Sequence, residues 1–349
     1  MQDLRSMTEA ELKTAAQELG QPAYRGAQLF DWLQNKKIRS LDEALNLPKA
    51  FREALRQHYA LSTLTLHTLQ VSRDGTRKYL FELPDGQAIE SVFMPYDYGC
   101  TVCVSSQVGC RMGCRFCAST LNGLSRNLLP GEMLEQVFRI EEETGKRVDH
   151  IVVMGMGEPL DNPDNLIRFI RLISDPKGKN LSQRNITVST CGLVPQIRAL
   201  AEEKLGITLA LSLHAPDDEL RRTMMPIANR YTIAETLAAC DEYFEKTGRR
   251  MSYEYSLVRG SNDSEAHALA LAKLLKGRNC HVNLIPVNPV TERGFEASQE
   301  AAVALFQKTL EKNGINATIR KKMGADIDGA CGQLRRRLME QHASICGKN

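Results

Sequence analysis

The sequence predicts an α/β fold, a partial (β/α)6 barrel of the TIM type, with a small N-terminal helical domain and a β-meander linker. Strand and helix patterns alternate six times between residues 101 and 313, whereas residues 1–60 show only helical periodicity. We expect a helical domain at 1–60, the meander at 61–95, the barrel at 96–330 and a C-terminal tail at 331–349. The predicted barrel strands are 101–105, 150–154, 186–189, 207–212, 252–257 and 281–286.

Two capping boxes predict helix starts in the N-terminal domain. Thr8 with Glu11, and Ser40 with Glu43, have the spacing at which each side chain accepts a hydrogen bond from the other's backbone amide. Gly20 is placed to end the first helix, because glycine readily adopts a positive φ.

The meander is predicted from strands at 78–83 and 88–94, each preceded by an Asp-Gly turn. Glu90 lies among apolar residues in the last of these strands. A carboxylate in this pattern is typical of the solvent-facing side of an alternating strand, so the pattern alone predicts an exposed Glu90.

Six amphipathic helices are expected between and after the barrel strands. Pro163 can open one of them at its first turn, and Gly314 can cap the last. The predicted helices are 130–145, 163–173, 194–204, 233–247, 264–275 and 298–313. In a barrel of this kind the functional residues gather at the C-terminal ends of the strands.

The loop after the first barrel strand carries Cys110, Cys114 and Cys117 in a C-x3-C-x2-C spacing. Three thiolates can hold an iron-sulfur cube and leave one iron open for a substrate. A structural zinc site would need four ligands, usually as two close pairs, and no second pair lies nearby in the sequence. Zinc binding and a purely structural role remain the alternatives.

Composition and net charge bear on the cellular location of the protein and on its binding partners. The chain has 42% hydrophobic residues, ten cysteines and a net charge of +3. Neither an apolar leader nor a membrane-spanning run is recognisable, and lone cysteines in apolar surroundings are typical of a reducing compartment, so we expect a cytoplasmic protein. Nucleic-acid binding would have to come from local basic clusters at 36–39, 320–322 and 335–337, although such a cluster, taken alone, is more often a solvated face.

Further polar motifs follow later strands. The segment 154–159, Met-Gly-Met-Gly-Glu-Pro, could let its backbone approach a ligand closely, because glycine has no side chain. The segments 187–192 and 212–214 place hydroxyls and the imidazole of His214 at strand ends. His214 could bind a ligand or be a buried structural histidine.

The cysteine motif, with Phe116 before its last cysteine, resembles the radical S-adenosylmethionine (SAM) signature, and 105–110, Ser-Ser-Gln-Val-Gly-Cys, resembles the RlmN-type rRNA adenine methyltransferases. The resemblance implies a 4Fe-4S cluster on Cys110, Cys114 and Cys117, and two SAM molecules per turnover. The residues implied to line the SAM pocket are Gly157, Glu158, Ser189, Ser212, Leu213, His214 and Asn288.

The resemblance also implies three reacting side chains. Cys331 would carry a methyl group, Glu90 would act as the base, and Cys103 would resolve the RNA adduct through a transient disulfide. Gly329 stands where the family pattern has an alanine, which changes no reacting group.

The implied substrates are an adenosine in the peptidyl-transferase loop of 23S rRNA, protein-free or early in assembly, and the adenosine 3′ of the tRNA anticodon, each methylated at C2. An electron donor and a thiol reductant would be further partners. The alternatives are a Cfr-type C8 methyltransferase and a non-catalytic, zinc-stabilised RNA-binding protein. Val108, Pro159 and 285–288 resemble the C2 enzymes.

Overall fold

A computed structural model describes residues 1–286, 296–327 and Leu334. The strands in this part of the chain are β1 Gln2–Asp3, β2 Tyr59–Ala60, β3 Thr65–Val71, β4 Arg77–Glu82, β5 Ala88–Tyr96, β6 Gly99–Cys103, β7 Gln107–Gly109, β8 Leu124–Asn127, β9 His150–Val153, β10 Ile186–Thr190, β11 Thr208–Ser212, β12 Met251–Leu257, β13 Cys280–Pro286 and β14 Ala317–Ile319. The α-helices are α1 Glu9–Glu18, α2 Tyr24–Gln34, α3 Lys49–His58, α4 Pro130–Thr144, α5 Pro163–Ile173, α6 Val194–Glu202, α7 Asp218–Met224, α8 Ile233–Thr247, α9 Glu265–Leu275 and α10 Glu300–Lys312.

Within these residues, ten strands form one sheet in the order β14-β13-β12-β11-β10-β9-β6-β5-β4-β3. The strands from β6 through β9 to β14 pair in parallel, and β3 to β6 pair antiparallel. The predicted fold class is confirmed. The strand β14 was not predicted, because three residues are too few to show a period of two.

The helices begin and end where local chemistry favours it. Both predicted capping boxes are formed, the first at the start of α1 and the second at a single 3-10 turn, Leu41–Glu43. Gly20 follows α1 with φ +70°, and Gly145 ends α4 with φ +64°. The short helix α7 was not predicted from the sequence.

A buried guanidinium joins the N-terminal module, residues 1–60, to the barrel. Arg5 is fully buried and donates hydrogen bonds to the carbonyl oxygens of Leu33 at 2.7 Å and Ser62 at 3.1 Å. Its Nε also lies 3.2 Å from a carboxylate oxygen of Glu135 on α4. Burying this charge is tolerable only because so many acceptors surround it, so the module is held firmly against α4.

The meander is part of the main sheet rather than a separate layer. β5 pairs with β6 through Val92 and Cys103, so the antiparallel strands extend the parallel ones without a break. The expected exposure of Glu90 is wrong, since only 1% of its surface is accessible. In the described residues, no helix is both long and apolar enough to cross a membrane.

Candidate functional site

The three cysteines lie in the loop of a short hairpin at the end of β6. β7 pairs with β8, and the Cys110 amide donates to the carbonyl oxygen of Gly123 at 2.9 Å, which closes the loop. Gly113 turns the chain between the cysteines with φ +72°, and a Cβ there would lie 3.3 Å from Pro226. The loop therefore folds back on itself, and its three thiols are near enough to influence one another electrostatically.

The thiols are shielded from water and influence one another. Burial raises the pKa of Cys110 to about 12, and the charge of Cys117 adds to that rise. Burial also raises the pKa of Cys114, with Cys117 and Cys110 as the next causes. A bound cation would lower these pKa values by stabilising the thiolates, which a metal centre requires.

This donor set fits an iron-sulfur cluster by the chemistry and number of its ligands. Three cysteine thiols can bind three irons of a cube and leave the fourth iron open, whereas a structural zinc ion takes four protein ligands. Cys110, Cys114 and Cys117 would hold the cluster.

One cavity of about 320 Å³ gathers the reactive residues beside this loop. Glu90, Cys103 and Cys117 all line it, together with Phe116 and Arg320. The resemblance assigned Glu90, Cys103 and Cys117 to a base, a resolving thiol and a cluster ligand. The fold brings these three to one place from a meander strand, a barrel strand and a loop.

Strand register places Glu90 beside Cys103. Val92 pairs with Cys103, so Glu90, two residues earlier, points to the same face of the sheet. Such diagonal neighbours lie about 7 to 8 Å apart. Burial raises the pKa of Cys103, and the negative charge of Glu90 contributes to this shift.

A buried lysine that the sequence analysis overlooked compensates the charge of Glu90. Lys78 Nζ lies 3.0 Å from Glu90 Oε2, and the two side chains are 0% and 1% exposed. Lys78 and Leu80 are two residues apart on β4, so their side chains face the same side of the sheet. Because Leu80 pairs directly with Glu90, Lys78 faces the same side as Glu90. This alternation was the sequence signal from which the ion pair could have been found.

The glycines of the 154–159 turn serve close packing within the chain. A Cβ on Gly155 would lie 2.6 Å from the Val104 carbonyl oxygen, and one on Gly157 would lie 2.7 Å from Gln107 Cβ. The turn therefore packs against the first barrel strand and the residues that follow it. The approach of a ligand to its backbone, expected from the sequence, stays a prediction.

The carboxylate of Glu158 joins two of the predicted motifs. It accepts hydrogen bonds from the backbone amides of Leu160 at 3.0 Å and Cys191 at 2.8 Å. Burial raises the pKa of Glu158, while these two amides oppose the shift. The side chain therefore fixes the 154–159 turn against the end of β10.

The C-terminal ends of β10 and β11 lie side by side in the sheet. The hydroxyls of Ser189 and Ser212 lie 3.3 Å apart, and Leu213 follows them fully buried. His214 is buried with φ +59°, and its Nδ1 accepts a hydrogen bond from the Ser256 amide at 2.9 Å. Its ring packs edge-on against Phe116 at 4.8 Å, so it also supports the cysteine loop.

Several predicted residues cannot be located in the same way. Asn288, Cys331 and the basic cluster 335–337 lie outside the described residues. Leu334 is described, and it packs with Leu80 and Ala88. By strand register, both partners share the sheet face of Glu90.

The basic cluster of the N-terminal module is partly engaged within the protein. Lys37 Nζ lies 2.6 Å from Glu141 Oε2, and Arg39 lies 2.7 Å from Glu142 Oε2, both on α4. These two cations help to join the module to the barrel. They are less available to RNA than the sequence suggested.

Comparison with known proteins identifies two family regions. Residues 104–272 match the profile of the Radical SAM superfamily, and residues 2–61 match the ribosomal RNA large subunit methyltransferase N-terminal domain. A protein of Lachnospira eligens named "Probable dual-specificity RNA methyltransferase RlmN" is 56% identical over 341 residues, 97% of each chain. One of Clostridioides difficile with the same name is 52% identical, covering 96% of this chain and 97% of the relative.

A solved structure agrees with these sequence matches. The crystal structure of a radical SAM methyltransferase from Sphaerobacter thermophilus superposes with a TM-score of 0.91 at 44% identity. The match covers 95% of this chain and 99% of that one.

Proposed function

The chain belongs to the RlmN family of radical SAM RNA methyltransferases, and from this premise we propose that it methylates C2 of an adenosine in 23S rRNA and of the adenosine 3′ of the tRNA anticodon. The superfamily uses a 4Fe-4S cluster and SAM. The relatives' name, a dual-specificity RNA methyltransferase, supports two classes of RNA substrate.

The observation that carries the proposal is the cavity shared by Glu90, Cys103 and Cys117. A methyl transfer that ends in a covalent adduct needs a base and a second thiol beside the reacting carbon. Glu90 and Cys103 line the same cavity of about 320 Å³ as Cys117, a proposed cluster ligand. A binding protein without catalysis would have no need to bury a carboxylate and a thiol there.

We assign the SAM contacts to the strand ends around the cluster loop. Gly157 and Glu158 would act through the main chain, since the Glu158 carboxylate already accepts two backbone hydrogen bonds. When bound, the cluster and SAM supply radical chemistry that can reach a non-nucleophilic ring carbon. Two SAM molecules would be used per turnover. The other proposed contacts are Ser189, Ser212, Leu213, His214 and Asn288.

Cys331 is the proposed carrier of the methyl group. The described residues on either side of it support this role: Met323 lines the cavity, and Leu334 packs on the sheet face that bears Glu90. Three residues of extended chain span at most about 11 Å. We propose that this short connection lets the Cys331 thiol meet Cys103 in the cavity.

Glu90 and Cys103 would complete the reaction. With the transferred carbon joined to both adenine and the Cys331 sulfur, the aromatic ring is restored by loss of one proton and one electron. Glu90 would accept the proton from C2, and the electron would pass to the cluster when it is bound. The Cys103 thiolate then attacks the Cys331 sulfur, the bond from sulfur to carbon breaks, and the carbon keeps that electron pair and takes up a proton as a methyl group. The resulting disulfide is reduced by a cellular thiol, and a separate donor supplies electrons to the cluster.

Two cysteine variants test the sequence of steps. For Cys331→Ala we expect no methyladenosine in RNA, although cluster and SAM still bind. For Cys103→Ala we expect a protein-RNA adduct that is visible on a denaturing gel. The assignment would be wrong if Cys331→Ala still methylated RNA, or if Cys103→Ala turned over without an adduct.

Mass spectrometry of digested RNA separates the two methylation sites. We expect the product to coincide with a 2-methyladenosine standard in both rRNA and tRNA substrates. Coincidence with 8-methyladenosine would assign the chain to the C8 reaction instead. A colourless, zinc-loaded protein without SAM cleavage would favour the RNA-binding alternative.

A further inference from the structure

Three consecutive cations enter the wall of the catalytic cavity directly after β14. Arg320, Lys321 and Lys322 line the cavity that also holds Glu90 and Cys103. The Arg320 amide donates to the Leu284 carbonyl oxygen at 2.8 Å, which extends the pairing with β13 and fixes where the run begins.

The segment that follows is held against the meander. The Gly324 amide donates to Asp74 Oδ2 at 2.9 Å, and the Arg73 amide donates to Asp326 Oδ2 at 3.2 Å. Burial raises the pKa of Asp74, but hydrogen bonds with three residues, Gly324, Thr76 and Ser72, lower it below its usual range. The cations are therefore presented from a segment that is tied at both ends.

One buried carboxylate, Glu254, interacts with the charge of Arg320 electrostatically, but it forms no close ion pair with it. Among residues 1–286, 296–327 and Leu334, no carboxylate oxygen lies within 4.0 Å of the side-chain nitrogens of Arg320, Lys321 or Lys322. Other cations of the chain do have such partners, for example Arg126 with Glu132 at 2.8 Å. Arg320 is half-buried, whereas both lysines are exposed, so the charges run from the cavity to the surface.

A half-buried guanidinium that forms no close ion pair with a described residue is suited to an anionic ligand. Its planar fork matches the oxygens of a phosphate, and the exposed ammonium groups can act as further point charges. Three consecutive cations are more than the single carboxylate of SAM needs as binding partners. They fit the repeating charge of a nucleic-acid backbone.

We propose that Arg320, Lys321 and Lys322 bind the phosphates that flank the target adenosine and so hold its base against Glu90 and Cys103. The proposal rests on the proposed function, because it takes RNA as the substrate. It adds a substrate-binding site, with Arg320 as the residue closest to the base and the lysines contacting the chain outside.

A double-mutant cycle tests the contact directly. The partners are Arg320→Gln and an RNA stem-loop in which one phosphate next to the target adenosine is a neutral methylphosphonate. We expect Arg320→Gln to weaken binding of unmodified RNA about tenfold, as for loss of a charge-assisted hydrogen bond. The methylphosphonate should weaken wild-type binding by a similar factor and Arg320→Gln binding less than twofold.

Controls distinguish this contact from general effects of charge. Arg222→Gln removes an equal charge from the exposed face of α7 and should show no coupling to the methylphosphonate. The double variant Lys321→Gln, Lys322→Gln should lower the slope of log Kd for RNA against log salt concentration. This second measurement tests the proposal even if Arg320→Gln fails to fold. Equal losses for wild type and Arg320→Gln at both flanking phosphates would overturn the proposal.

The site could instead serve the SAM carboxylate, and the same variants decide this. We expect Arg320→Gln to keep its Kd for SAM within twofold and to methylate Cys331 in the absence of RNA. A weaker Kd for SAM with unchanged RNA binding would overturn the assignment. The coupling is measured by RNA binding alone, so it does not depend on methylation. Failure of the wild-type enzyme to methylate either RNA would therefore count against the proposed function and not against the phosphate contact.

Discussion

Replacing Lys78 by methionine should destabilise the protein strongly, because the ion pair with Glu90 is almost completely shielded from water. The two charged atoms lie 3.0 Å apart, with 0% and 1% of the side chains exposed. Removing one partner of such a pair typically costs about 3 to 5 kcal/mol, since the remaining charge stays buried without compensation. Glu90 also borders the cavity, where water can reach it, so we expect the lower end of this range.

Urea unfolding of the reduced apoprotein, followed by circular dichroism, measures this loss as a difference in unfolding free energy. The double variant Lys78→Met, Glu90→Gln removes both charges and should recover most of the stability. Lys308→Met, at an exposed position of α10, is the matched control and should change stability by less than about 0.5 kcal/mol. A loss below about 1 kcal/mol for Lys78→Met, or no recovery in the double variant, would refute the account of this pair.

Three further predictions concern the site. Cys110→Ala should lower the iron bound after anaerobic reconstitution, measured by metal analysis and visible absorbance, and iron content equal to wild type would contradict the ligand assignment. Burial lowers the pKa of His214 to about 3, so the unfolded chain binds a proton at this residue more readily than the folded protein does. The stability of the protein should therefore fall as the pH drops from 6.5 toward 3. His214→Asn, which suits the positive φ at this position, should make the urea midpoint less dependent on pH in this range. Gly157→Ala should lower the melting temperature more than Gly86→Ala, because both positions have positive φ but only Gly157 is crowded by Gln107, and equal shifts would show that backbone strain alone is responsible.

The local motifs were predictable because their physics is local. Capping boxes and Asp-Gly turns involve residues close in sequence, and the structure forms them as expected. The alternation of six strands with helices was equally clear. The family resemblance added the roles of Glu90 and Cys103, and the fold places both at one cavity.

The environment of Glu90 could not be predicted from its strand alone. Alternation shows which residues share a face, but what covers that face is decided by distant segments. Here Leu334 packs on Leu80 and Ala88, more than 240 residues away in the sequence. The packing role of the glycines in the 154–159 turn was missed for a similar reason, since their crowding comes from Val104 and Gln107.

The rigid attachment of the N-terminal module has a consequence for substrate choice. Because Arg5 is locked between module and barrel by Leu33, Ser62 and Glu135, the separation between the module surface and the catalytic cavity is constant. An RNA that touches both must already have, or adopt, a bend of matching span. Selection among RNAs can then depend on their folded shape, with little contribution from base sequence.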